Sequence, residues 1–308
     1  MWRQSRVHRE GFMMKVLFAA DGSDFTTSSL EFLARLPFPE GSEMSVVTVV
    51  PDVASVTGGH TSPESVDVQE AVRMEADRAL QQTVERASRL GLPVSQTVLM
   101  GNAAGEIIEH GVRTETDLAV VGSHGRGGFK RFLLGSVALK VVTYAPFSVL
   151  IARPMGAMDS AGDGRSETLR VLVATDGSEQ SNAAIEQFAE LAARRWCTIK
   201  VVTVMELVTA FRMDIRQRLN ESWRQRKAGA KQHLKETAEA LDLLAVEVTT
   251  QVLEAPSASE AILGAADEFG ADLILVGGTG KGRIGRVLLG SVAGRIVRDA
   301  RCSVWVGR

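Results

Sequence analysis

The sequence predicts an α/β protein made of two tandem, doubly wound parallel sheets of five strands each. Three observations carry that expectation. A glycine-rich stretch occurs twice, as Gly122-Ser123-His124-Gly125, nine residues and Gly135-Ser136, then as Gly277-Gly278-Thr279-Gly280, nine residues and Gly290-Ser291. The 155-residue offset between the copies (Gly122 to Gly277) holds outside them: Asp21-Gly22-Ser23 maps onto Asp176-Gly177-Ser178, and Ala145 through Arg153 onto Ala300 through Arg308. That period is too long for a solenoid unit and fits a whole domain of roughly 100–150 residues. Finally, each half alternates short apolar runs with helix-patterned segments, as parallel strands joined by crossover helices do.

The first half opens with Lys15–Ala20, an apolar run suited to a strand buried on both faces. Asp21-Gly22-Ser23 breaks the run. Ser23 is placed to cap a helix reaching about Leu36, where Pro37 and Pro39 stop it. Val46–Val50 is the second strand, and a glycine-containing loop follows. Pro63–Leu90 carries apolar residues at helical spacing (Val68, Val72, Ala79, Val84, Ala87) and ends at Gly91 and Pro93. Val94–Met100 alternates like a strand, Ala103–Thr116 is helical, and Leu118–Val121 is the strand entering the first glycine stretch. A helix over Ser136–Tyr144 and a strand over Ser148–Ala152 close the half.

The second half repeats this order. Its strands are expected at Arg170–Thr175, Thr198–Val204, Val246–Leu253, Leu273–Val276 and Ser303–Val306. Helices are expected near Ser178–Ala193, Asp214–Leu243, Ser257–Gly270 and Ser291–Ala300. The domains are accordingly placed at 14–153 and 169–308, with residues 154–168, rich in Gly, Ser and Asp, as a linker.

A charged content of 23% and a net charge of −2 give no global reason to expect nucleic acid or a membrane surface as partner. No apolar run reaches the roughly 18 residues of a spanning helix. Residues Met1–Gly11 are polar and basic, unlike a signal peptide, so an extended start or short tail and a cytoplasmic location are expected. Cys197 and Cys302 lack metal-ligand spacing and are expected to be buried thiols in a reducing compartment.

A buried strand, a glycine turn and a helix start together form a candidate phosphate cradle. Glycine lets the backbone approach an anion, and the helix N-terminus presents N–H groups and the positive end of its dipole. Three familiar forms of that cradle are excluded. A dinucleotide fingerprint needs three glycines after the first strand, where Ala20-Asp21-Gly22-Ser23-Asp24 has one. Gly280-Lys281 suggests a Walker loop, but Gly282 replaces the hydroxyl residue and Leu275 the first glycine. No Gly-x-Ser-x-Gly nucleophile elbow is present.

The pattern that fits is Gly-x2-Gly-x9-Gly-Ser with an Asp at the end of the first strand. With it, the chain resembles the universal stress protein family in its tandem two-domain form, over about Lys15–Arg153 and Leu169–Arg308. The resemblance implies strand order 3-2-1-4-5 and ATP as ligand, with Mg²⁺ accompanying the phosphates. It implies that Asp21 and Asp176 lie beside ribose and adenine, with backbone groups of Ala19, Val49, Ala174 and Val204 near the base. It implies that Gly122, Gly125, Gly135 and Ser136 hold phosphates in the first half, as Gly277, Gly280, Gly290 and Ser291 do in the second.

Plainer roles stand beside these. The glycines serve any tight strand-to-helix turn, Asp21 and Asp176 can form Asx turns, Ser136 and Ser291 can be N-caps, and His124 can be a loop hydrogen-bonder. Arg126, Lys130, Arg131, Lys281, Arg283 and Arg286 fall in the nine-residue spacers and either screen phosphate charge or decorate the surface. Glu254-Ala255-Pro256 stands near where the first half has Gly101-Asn102, so a carboxylate is expected at the mouth of the second crevice. Arg212–Lys235 holds eight basic and two acidic residues, whereas Glu64–Arg89 holds four and six, so a solvated face, or a docking face for an acidic partner or for the acidic helix of another copy, is expected there.

The functional expectation is an ATP-binding, stress-response regulator whose glycine loops respond to occupancy and whose protein partner the sequence does not name. No general base, nucleophile or metal cage is evident, so catalytic and metal-binding residues are expected to be none. The alternatives are a slow ATPase or autophosphorylating enzyme, and an interaction scaffold with vestigial sites. The apolar last strand of each half is the expected edge for pairing, between halves or in a homodimer.

Overall fold

The computed structural model describes residues 12–53, 63–124, 134–154, 168–191, 195–207, 213–280 and 289–308. Most of the expected linker, Gly125 and the six basic spacer residues lie outside the described residues. The chain divides into two compact units, the bulk of one between Glu10 and Gly156 and the bulk of the other between Ala157 and Arg308.

In the first unit, strands β1 (Lys15–Ala19), β2 (Glu43–Val50), β3 (Val94–Met100), β4 (Leu118–Gly122) and β5 (Ser148–Ala152) are all parallel, in the order β3-β2-β1-β4-β5. Helices α1 (Asp24–Leu33), α2 (Pro63–Ala87), α3 (Ala103–Arg113) and α4 (Ser136–Tyr144) make the crossovers. The chain steps outward from β1 to β3, then returns to lay β4 on the other side of β1. That reversal opens a crevice at the strands' carboxyl ends. The central strands are apolar on both faces because helices cover both: Val16, Leu17, Phe18 and all of Leu118–Val121 are buried.

The second unit repeats the plan. Strands β6 (Leu169–Ala174), β7 (Cys197–Glu206), β8 (Ala245–Ala255), β9 (Leu273–Gly277) and β10 (Ser303–Gly307) run parallel in the order β8-β7-β6-β9-β10. Helices α5 (Glu179–Ala189), α6 (Met213–Leu241), α7 (Ala258–Phe269) and α8 (Ser291–Asp299) join them. The expected fold class and strand order are those observed.

A shared device aligns the central pair of strands in each unit. Asp117, just before β4, accepts from Lys15 N through Oδ2 at 2.8 Å while its own N–H donates to Lys15 O at 3.0 Å. Asp272 does the same with Arg170, at 2.9 and 2.8 Å. Burial pushes the Asp117 carboxyl up, and the amide of Lys15 opposes the shift.

Local differences from expectation have physical causes. Strand β2 begins at Glu43, earlier than Val46, because Lys15–Leu17 of β1 offers pairing partners for Glu43–Ser45. Helix α2 gives way to a 3₁₀ turn at Ser88–Leu90, closed by Gly91 at φ +77°. Cys197 is buried, its thiol pushed up to about 12 by desolvation, whereas Cys302 is only half-buried, so the buried-thiol expectation fails there.

The largest departure is a slip in pairing. In the first unit Val49 pairs with Leu99, but its counterpart Val204 pairs with Leu253, one residue earlier than the 155-residue offset requires. An irregularity lies between Cys197 and Thr198, and the shifted register then holds through Glu206 and Ala255. A one-residue slip moves every side chain of a strand to the other face.

Candidate nucleotide-type sites

Each unit holds one cavity at the carboxyl end of its switch point, of about 400 Å³ in the first unit and about 410 Å³ in the second. The first brings together Ala19, Asp21, Val49, Gly122, Gly135 and Ser136. The second brings together Ala174, Asp176, Val204, Gly277, Gly280, Gly290 and Ser291. These fall together because β1 lies beside β4, and β6 beside β9, so the Asp turn and the glycine turn leave neighbouring strand ends.

The glycine turn closes through one main-chain bond. Gly135 N donates to Ser123 O at 2.7 Å, and Gly290 N donates to Gly278 O at 2.7 Å. Gly135 and Gly290 are then the N-caps of α4 and α8, with extended backbone and no side-chain cap. Ser136 and Ser291 are therefore first-turn residues and not caps. The first donor of each helical ladder is Leu139 N to Gly135 O, or Gly294 N to Gly290 O. The amides of residues 136–138 and 291–293 thus precede the ladder, and all six residues line the cavities. Two positions of the second turn leave no room for a side chain. A Cβ on Gly277 would sit 2.8 Å from Ser181 N, and one on Gly280 would sit 2.9 Å from Asp176 Oδ2.

Beside the glycine turn stands the carboxylate. Asp21 Oδ1 accepts from Ser23 N at 3.0 Å, Ser23 Oγ at 2.6 Å and Thr26 Oγ1 at 3.0 Å. Ser23 is thereby drawn away from capping α1, and its side chain makes no cap bond. Asp176 Oδ1 accepts from Ser178 N at 2.9 Å, and Ser178 does cap α5, accepting from Ser181 N at 3.2 Å. Gly22 and Gly177 follow at φ +74° and +71°, a conformation glycine adopts without strain. The Asx-turn role of these aspartates is real and engages Oδ1.

The apolar floor was not anticipated in full. Val47 joins Val49 by the two-residue period of a strand, and Ala103 and Ile107 join them from one face of α3. Val202, Ala258 and Ile262 fill the same places in the second unit. These residues recur at the 155-residue offset, and that regularity was the available signal. His124 also lines the first cavity, stacked on Phe25 with ring centroids 5.1 Å apart and with Nδ1 3.1 Å from Ser123 Oγ.

Glu254 is not at the mouth of the second cavity. The slip in pairing sets it beside Met205 and not Val204, on the α6 side of the sheet, where it meets Lys227 Nζ at 2.5 Å. The second unit instead differs inside its cavity wall. There Thr175 Oγ1 lies 3.1 Å from Ser181 Oγ and 3.0 Å from His233 Nε2, and accepts from Gly177 N at 3.1 Å.

Fold and site together define a class: tandem doubly wound α/β domains, each with a glycine turn, a helix N-terminus and an Asp turn lining one crevice. The universal stress protein family model matches residues 13–153 and again 168–308, so the chain belongs to that family. It is similar to universal stress protein YxiE of Bacillus subtilis, 32% identical over 145 residues, covering 45% of this chain and 98% of that protein. Universal stress protein Rv2005c of Mycobacterium tuberculosis is 29% identical over 206 residues, 64% of this chain and 63% of that one. A universal stress protein structure from Archaeoglobus fulgidus covers 96% of this chain and 98% of its own, at 21% identity and a TM-score of 0.65, a likeness of fold. No helix among the described residues is long and apolar enough to cross a membrane.

Proposed function

We propose that each unit binds an adenine nucleotide, ATP, in its crevice, and that the protein is a nucleotide-dependent regulator in the stress response and not a dedicated enzyme. The observation that carries this is the polarity of the cavity. Three helix-start amides, at 136–138 or 291–293, the carboxylate of the Asp turn, and valine and isoleucine side chains line one cavity together. Amides and a helix dipole suit phosphates, a carboxylate suits ribose hydroxyls, and an apolar floor suits a base. Volumes near 400 Å³ fall within the usual range of small-molecule sites, roughly 300–1,000 Å³. Among the described residues no three His, Cys, Asp or Glu side chains gather to hold a metal. Mg²⁺ would therefore come with the triphosphate, held by phosphate oxygens and water.

The test is to denature the freshly purified chain, identify any released nucleotide by mass, and titrate the emptied protein with ATP in a calorimeter. One equivalent per unit is expected, and Asp21→Asn or Asp176→Asn should each weaken one equivalent. Asn keeps an Oδ1 acceptor for the turn, removes the charge and turns the other carboxylate oxygen into an NH2 donor. No released nucleotide and no heat of binding would leave the scaffold reading in place. Turnover that scales with protein would favour the ATPase reading.

A further inference from the structure

We propose that the groove between α2 and β3, the edge strand of the first unit's sheet, is an interface that takes the basic face of α6 from a second copy of this chain. The groove encloses about 700 Å³ on the opposite side of the sheet from the nucleotide-type cavity. Val98 and Met100 of β3 form one wall, and Val66 and Met74 of α2 the other. Val66, Met74 and Met100 are 56%, 52% and 56% exposed, an unusual concentration of large apolar side chains left to solvent. Glu70 and Asp77 stand on its rim with the exposed Arg73 between them, and neither carboxylate is in an ion pair or hydrogen bond among the described residues.

The complement lies on α6. Arg224, Lys231 and Lys235 are exposed, and their spacing of seven and four residues puts them within about 20° of one line along the helix. Arg224 and Lys231 have no ion-pair partner among the described residues, while Lys235 holds Glu239 at 3.8 Å. Ala228 lies on the same face, so no bulky group stands in front of the row. Glu70 and Asp77 are seven residues apart, as are Arg224 and Lys231, so both pairs are separated by about 10.5 Å along their helices. Two helices laid side by side can therefore close both contacts at once. A second copy is the occupant because each chain carries both surfaces, and a reciprocal contact uses each of them twice.

The test is sedimentation equilibrium of the full chain across protein concentration and salt. The unmodified protein should self-associate at low ionic strength and dissociate as salt rises. Arg224→Glu with Lys231→Glu should weaken association about tenfold or more, and Glu70→Lys with Asp77→Lys should do the same. All four changes in one chain should restore it, because the swapped charges again match. Thermal midpoints, which exposed substitutions leave nearly unchanged, show that each variant is folded. A monomer at every concentration and salt overturns the proposal. So does a dimer indifferent to the reversals, or a four-fold swap that fails to restore association. None of these outcomes bears on nucleotide binding.

Discussion

His110 shows how one residue ties the first unit's stability to pH. It is buried on α3, with Nε2 3.3 Å from Ser45 Oγ and Nδ1 2.9 Å from Arg113 Nη2. A guanidinium only donates, so Nδ1 accepts and the ring proton sits on Nε2, facing Ser45. Burial, and then the Arg113 charge, hold the imidazole below its ordinary 6.5. The unfolded chain therefore takes up the proton first as pH falls. The stability contributed by the neutral ring is fully present above the unfolded value and is lost as pH falls through the folded one. We expect the first unit's denaturant midpoint to fall as pH drops below about 6.5, and His110→Gln to flatten that slope. An unchanged slope in the variant would assign the acid sensitivity to other groups. The histidine was visible in the sequence; its burial against Ser45 was not, because α3 and β2 meet only in the fold.

At the scale of elements, two glycines at helical or strand-end positions predict opposite outcomes. Gly229 lies within α6, and a Cβ there would meet nothing, so Gly229→Ala should raise stability by about 0.5–1 kcal/mol through helix propensity alone. Gly277 ends β9 against the backbone of Ser181, so Gly277→Ala should lower stability and weaken ATP binding in the second unit together. Denaturant titration of both variants, with calorimetry on the second, checks the pair. Most elements were legible, since strands as apolar runs and helices as 3.6-residue patterns are properties of single segments. The pairing of β8 with β7 was not. Register is a relation between two segments, and the slip that carries Glu254 to Lys227 leaves the spacing of the repeat intact. Val49 and Asp21 could be placed by motif, whereas Val47 and Ile107 entered only once the sheet and α3 had a face in common.

At the scale of the molecule, the duplication makes the two cavities separately observable. The tryptophans among the described residues, Trp196, Trp223 and Trp305, all belong to the second unit, and Phe188 lies 5.8 Å from the first and 5.7 Å from the last. Trp2 lies outside the described residues, so in a Trp2→Phe background fluorescence follows that unit's unfolding, while circular dichroism follows both. Ligand that binds only the native state raises its unfolding midpoint. ATP should therefore raise the fluorescence midpoint of the Trp2→Phe chain, alone or with Asp21→Asn, and raise it much less with Asp176→Asn. Equal shifts in all three proteins would place the bound nucleotide elsewhere.

The main-chain character of the helix starts at 136–138 and 291–293 has one more consequence. Donors that belong to the peptide backbone are written into no codon. Ser123-His124 can become Gly278-Thr279 between the halves while the turn keeps its 2.7 Å closing bond. Alanine at positions 136, 137, 291 and 292 (138 and 293 are already alanine) would return a nearly silent map, since truncating a side chain deletes no amide. Replacing single amides with esters by chemical synthesis, which removes the donor and spares the side chain, is the perturbation to which such a pocket answers.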